Sequence, residues 1–104
     1  MQRNAFKMKL KAGVIAEYKR RHDEIWPELQ KELRAAGICE YSIFLDEETL
    51  TLFATQKLTD NNSAPRLVRL PVMRKWWDYM APLMEVHADN SPVSIPLKEV
   101  FHLE

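Results

Sequence analysis

Phe6-Lys7-Met8-Lys9-Leu10-Lys11-Ala12-Gly13-Val14-Ile15-Ala16-Glu17-Tyr18-Lys19-Arg20-Arg21-His22 changes its hydrophobic period partway along. Phe6, Met8 and Leu10 alternate with Lys7 and Lys9, the period-2 pattern of a strand with one face buried and one solvated. After Gly13 the period lengthens. Val14, Ile15, Tyr18 and His22 fall at helical spacing on one face, while Glu17, Arg20 and Arg21 turn outward. Pro27 would lose a hydrogen bond and clash inside a helix, but it suits a first helical position. The pattern therefore predicts a break over residues 23–26 and a second helical segment marked by Leu29, Leu33 and Ala36, stopped at Gly37. The crossover reads as a broken helix, with His22 near the C-terminal end of its first half.

Downstream, Cys39, Tyr41, Ile43 and Leu45 alternate with Glu40, Ser42 and Phe44. An acidic turn at Asp46-Glu47-Glu48 then leads into Leu50, Leu52 and Ala54, alternating with Thr51, Phe53 and Thr55, which predicts a hairpin. Residues 59–63 form a polar loop, followed by a short helix before Pro71. Val72, Met73, Trp76, Trp77 and Met80 mark an amphipathic helix that Pro82 ends or kinks. Asp89-Asn90-Ser91-Pro92 is dense in turn formers and predicts a loop or an ordered lid. Residues 97–103 alternate weakly and are expected to supply a fourth strand, with Pro92 and Pro96 making its entry unsuited to a central strand.

The order is β, broken helix, β, β, helix, β. Two such split βαβ units give an α+β, ferredoxin-like βαββαβ subunit with its helices on one face of the sheet. The opposite face needs a cover, and a second copy of the chain supplies one, so a homodimer is expected.

The 104 residues fit one domain, residues 1–104, and 46% hydrophobic with 29% charged residues is the balance of an ordinary globular protein. Lys plus Arg and Asp plus Glu both total 15, so there is no net field to gather polyanions, and neither nucleic-acid nor membrane-surface binding is expected. Lys19-Arg20-Arg21, with Asp23 and Glu24 beside it, reads as a solvated helix face. Cys39 is the only cysteine; it cannot form an intrachain disulfide, reads as core filler, and argues for a reducing, cytoplasmic setting. No stretch approaches about 18 consecutive apolar residues. His22, His87 and His102 show no paired ligand spacing, and Gly13 and Gly37 are the only glycines. Neither a metal nor a nucleotide cofactor is expected.

Tyr18 and His22 stand four apart on one helix and can serve one ligand. A histidine at a helix end gains about 0.3–1 kcal/mol for its imidazolium from the helix dipole, which poises it as a proton donor near neutrality. Trp76 and Trp77 point about 100° apart, so one is expected to face the core and the other a pocket, where an indole stacks on a sugar ring. Tyr41, on the inward face of the hairpin, can add a hydroxyl to the same space. Core packing is the competing account of each of these residues.

Tyr18-Lys19-Arg20-Arg21-His22-Asp23-Glu24-Ile25-Trp26-Pro27-Glu28-Leu29, then Trp76-Trp77 with Met80, then Asp89-Asn90-Ser91-Pro92-Val93, resemble in order and length the L-rhamnose mutarotase family. The resemblance implies a dimeric α+β barrel that interconverts the α and β anomers of L-rhamnose. By position it implies His22 as the proton donor and Tyr18, Tyr41, Trp76 and Trp77 as sugar contacts. His87-Ala88 departs from an expected Asn-Pro, at the loop whose fit bears on sugar preference. The reaction needs an acid and a base but no redox centre or metal; the base stays open among Asp23, a loop carboxylate and a water relayed through a tyrosine. The alternatives are a small dimeric α+β barrel monooxygenase using haem or an aromatic substrate, and a non-catalytic sugar-binding module.

Overall fold

The computed structural model describes residues 1–104. Strand β1 (Gln2–Lys9) is followed by helix α1 (Ile15–Asp23), helix α2 (Pro27–Ala35), and the hairpin strands β2 (Ile38–Asp46) and β3 (Thr51–Leu58). A short 3-10 turn (Ala64–Arg69) then leads to helix α3 (Pro71–Met80) and the two-residue strand β4 (Ile95–Pro96). The sheet order is β2-β3-β1-β4 with every pairing antiparallel, which is the ferredoxin-like arrangement.

Each junction follows from a local rule. Gly13, at φ +81°, makes the turn into α1. Pro27 opens α2 after the break, where its missing N–H costs nothing. Gly37 closes α2 at φ +92°, and a Cβ there would fall 2.3 Å from Thr59 Oγ1, so no other residue fits without displacing that loop.

All three helices lie on one face of the sheet. Met8, Leu52 and Ala54 from the strands meet Tyr18, Leu29, Val72, Trp76 and Met80 in the main core. A smaller cluster of Ala36, Ile38 and Leu67 closes the far end. Burying a side chain such as Leu29, 2% exposed, contributes about 1.5–3 kcal/mol.

Three expectations are corrected. The fourth strand is Ile95–Pro96, not residues 97–103. Leu97 N–H donates the last backbone bond, to Ala5 O at 2.9 Å, and the chain runs on beyond it without strand pairing. Pro96 is tolerated because β4 is an edge strand.

The alternation predicted for β2 is also broken. Cys39 pairs with Lys57 and Ser42 with Thr55, so Glu40 and Tyr41 together oppose Gln56 in a β-bulge. Glu40 takes φ +46°, a conformation that costs a non-glycine residue roughly 1–2 kcal/mol. The extra residue moves Cys39 to the outer face and lets Ile38 join Ile43 and Leu45 on the inner one. Glu40 is held by an ion pair to Lys57 at 2.7 Å.

Finally, Arg21 does not turn outward. It bonds Glu17, donates to the Tyr79 carbonyl and stacks 4.0 Å over the Tyr79 ring. Lys19 and Arg20 do form the solvated face that was expected.

The outer sheet face carries a row formed by Phe44, Phe53, Lys7 and Ile95. Phe44 is 62% exposed and Ile95 52% exposed.

Candidate active site

Three elements converge on one cavity of about 700 Å³ between the helices and the inner sheet face. From α1 come Tyr18 and His22, one turn apart; α3 contributes Trp76 and Trp77; β2 contributes Tyr41, from within the bulge. All five residues named from the sequence line this cavity.

The imidazole of His22 is held from three sides. Its ring lies 4.4 Å from the Tyr18 ring at 29°, and Trp76 meets it edge-on at 5.3 Å and 85°. Nδ1 is 3.1 Å from the Tyr18 carbonyl oxygen. Burial pushes the His22 pKa below its ordinary 6.5, outweighing the Tyr18 carbonyl and the Asp23 carboxylate, which both act upward. The net direction is opposite to the one expected from the helix end, because desolvation of the imidazolium is the larger effect.

The two phenols differ in accessibility. Tyr18 is 8% exposed, and burial, reinforced by neighbouring Tyr41, raises its pKa well above the ordinary range. Tyr41 is 39% exposed, lines the cavity, packs edge-on to Phe6 at 6.4 Å, and has its hydroxyl pushed up to about 12 by desolvation. Both remain neutral hydrogen-bond donors at physiological pH.

The tryptophans divide as their 100° separation requires. Trp76 is 7% exposed and belongs to the core while presenting an edge to His22. Trp77 is half-buried and lies under the Arg74 guanidinium at 5.3 Å.

Sequence reasoning missed the support behind Trp76. Trp26 packs against Trp76 at 5.1 Å and 87°, Tyr79 against both, and Arg21 caps Tyr79. Trp26 stood in the longest quoted motif and could have been suspected; nothing local to Tyr79 or Arg21 pointed to their meeting.

The Asp89-Asn90-Ser91-Pro92 loop is ordered and contributes Pro92 to the cavity wall. Arg74 binds Asp89 at 3.1 Å, and Asn90 Nδ2 donates to Asp78 Oδ1 at 3.0 Å, so two bonds tie the loop to α3. Asn90 takes φ +68°, a conformation Asn tolerates better than most residues.

Fold and cavity together define the class: a ferredoxin-like α+β domain with an aromatic-walled cavity between its helices and its sheet. The model of the L-rhamnose mutarotase family matches residues 3–103. An L-rhamnose mutarotase of Formosa agariphila is 55% identical over 104 residues, covering 100% of both chains. One of Flavobacterium johnsoniae is 57% identical over 102 residues, 98% of this chain and 95% of its own. The crystal structure of an L-rhamnose mutarotase from Formosa agariphila superposes with a TM-score of 0.93 at 54% identity, again over 100% of both chains. The chain belongs to the L-rhamnose mutarotase family, a family of isomerases.

Proposed function

We propose that the chain interconverts the α and β anomers of L-rhamnopyranose by proton-assisted ring opening, rotation about C1–C2 and reclosure. The observation that carries this reading is the convergence of one imidazole and four aromatic residues on a single cavity, in a chain of this family. His22 handles the proton; Trp77 offers a face to the apolar side of the sugar, and the phenols of Tyr18 and Tyr41 offer hydrogen bonds to its oxygens. Such proton transfer contributes typically about 10²–10⁴-fold in rate. Family membership favours neither the monooxygenase nor the non-catalytic alternative.

The working form is a homodimer whose interface is the outer sheet face, because Phe44 and Phe53, with Ile95 on the far side of Lys7, present apolar surface there that a single chain leaves in water. A cytoplasmic setting agrees with the single unpaired Cys39, and no helix is long and apolar enough to cross a membrane. Saturation-transfer NMR on equilibrated L-rhamnose tests the activity. Exchange between the anomeric protons faster than in buffer is expected, and exchange at the buffer rate overturns the assignment.

A further inference from the structure

We propose that the acid and the base of the reaction are the same group: His22, protonated on Nδ1, takes the anomeric hydroxyl proton on Nε2 and returns it to the ring oxygen. The inference rests on the activity argued above and adds the identity of the base and the order of proton movements.

A carbonyl oxygen can only accept, so Nδ1, 3.1 Å from Tyr18 O, carries hydrogen in both charge states of the ring. In the neutral ring the lone pair is then on Nε2. The stacked Tyr18 ring and the edge-on Trp76 ring fix the plane of the imidazole. Nε2 has no hydrogen-bond partner in the chain, and it is not sealed off, since no buried side-chain nitrogen or oxygen lacks a partner. It therefore opens on the cavity that His22 lines.

The other ionisable groups facing this space are already engaged or hold their protons. Asp23, from the same helix, is paired with Lys19 at 2.9 Å, and Glu40 from β2 is paired with Lys57 at 2.7 Å. Arg34 from α2 is a permanent cation. Tyr18 and Tyr41 have their pKa values raised. Cys39 borders the space, but its thiol lies 3.7 Å from the Lys57 carbonyl oxygen on the outer side of the sheet. From α3 only uncharged side chains, among them Trp76 and Trp77, reach the cavity.

The electron balance closes on one imidazole. As Nε2 takes the O1 proton, the O–H pair becomes the second C1–O1 bond and the C1–O5 pair departs with O5. The imidazolium then gives its Nε2 proton to O5, leaving open-chain aldehyde and neutral His22. Reclosure on the other face of C1 runs the same steps in reverse. Because O1 and O5 are bonded to one carbon, a single nitrogen serves both, and no co-reactant is required.

The test combines the pH dependence of L-rhamnose anomer exchange with ¹⁵N NMR of protein labelled at histidine. The expected result is a rate that rises with pH and levels off above the His22 pKa, with the NMR titration sharing that midpoint and a neutral form that bears hydrogen on Nδ1 and none on Nε2. A rate that falls as pH rises through the His22 midpoint, or a neutral form protonated on Nε2, overturns the proposal. Absence of exchange at every pH overturns the activity itself, and the proposal with it, and is distinguished by the missing signal rather than by its slope.

Discussion

His22 and Tyr18 are bound twice: their rings lie 4.4 Å apart, nearly parallel, and the Nδ1 of one meets the backbone carbonyl of the other at 3.1 Å. A residue held by both its face and its edge has little rotamer entropy left to lose when a ligand arrives, which suits the proposed role of His22 in proton transfer.

Replacing His22 with Ala is expected to lower the anomer-exchange rate about 10²–10⁴-fold, the usual worth of a positioned proton-transfer group. Circular dichroism should show an intact fold, since the main core is built without it. An exchange rate equal to that of the native protein would remove His22 from the mechanism.

The two tryptophans should respond differently. Trp76→Ala, at a position 7% exposed and packed on Trp26, is expected to cost about 3–5 kcal/mol in denaturant unfolding. Trp77→Ala should unfold close to the native midpoint and weaken L-rhamnose binding by roughly 0.5–1.5 kcal/mol, up to about tenfold in Kd. Equal losses of stability in the two variants would contradict the division between core and wall.

That division shows how far the sequence could be read. The period switch after Gly13, the Pro27 break and the Gly37 stop were legible because each is a local steric or periodic rule, and all three appear where expected. That Tyr18, His22, Trp76 and Trp77 line one cavity was legible through the motifs that carry them and, for the first two, through α1 spacing, whereas Tyr41 was read from the inward face of the hairpin. The bulge at Glu40 and Tyr41 was not, since strict alternation fits the residues of β2 equally well and only pairing with β3 reveals the extra residue. The fold of Arg21 onto Tyr79 joins residues 58 apart, and its guanidinium looks like any other solvated charge in a one-dimensional pattern. For His22 the helix end was visible, but the burial that lowers its pKa comes from the packed fold, in which a ring from a distant helix, Trp76, meets it edge-on.

Leu52 is 1% exposed, at the centre of the sheet between Met8 and Leu45. Leu52→Ala should destabilise by about 2–5 kcal/mol, measured as a fall in urea midpoint at constant slope. A loss under about 1 kcal/mol would mean that the helices collapse onto the vacated space.

Phe44 meets Phe53 across the hairpin on the outer face. If that face joins two copies, Phe44→Glu should convert a dimer to a monomer in sedimentation velocity, because it places a carboxylate in an apolar interface. Persistence of the dimer would place the interface elsewhere.

Glu17 accepts bonds from Arg20 and Arg21, which lower its pKa from 4.5 to about 2. A carboxyl depressed on folding adds stability that is complete above 4.5 and is lost as pH falls through its folded value of about 2. Glu17→Gln should therefore melt below the native protein near neutral pH, with the gap closing toward pH 2. A gap independent of pH would show that the lost interaction is not one of charge.

The bulge in β2 gathers on one face residues that strict alternation would put on opposite faces. Ile38 upstream packs in the small cluster at the end of α2 and lines the cavity together with Tyr41, Ile43 and Leu45 downstream. Removing the extra residue would restore strict alternation and force a choice of which half of β2 keeps its apolar side chains inward.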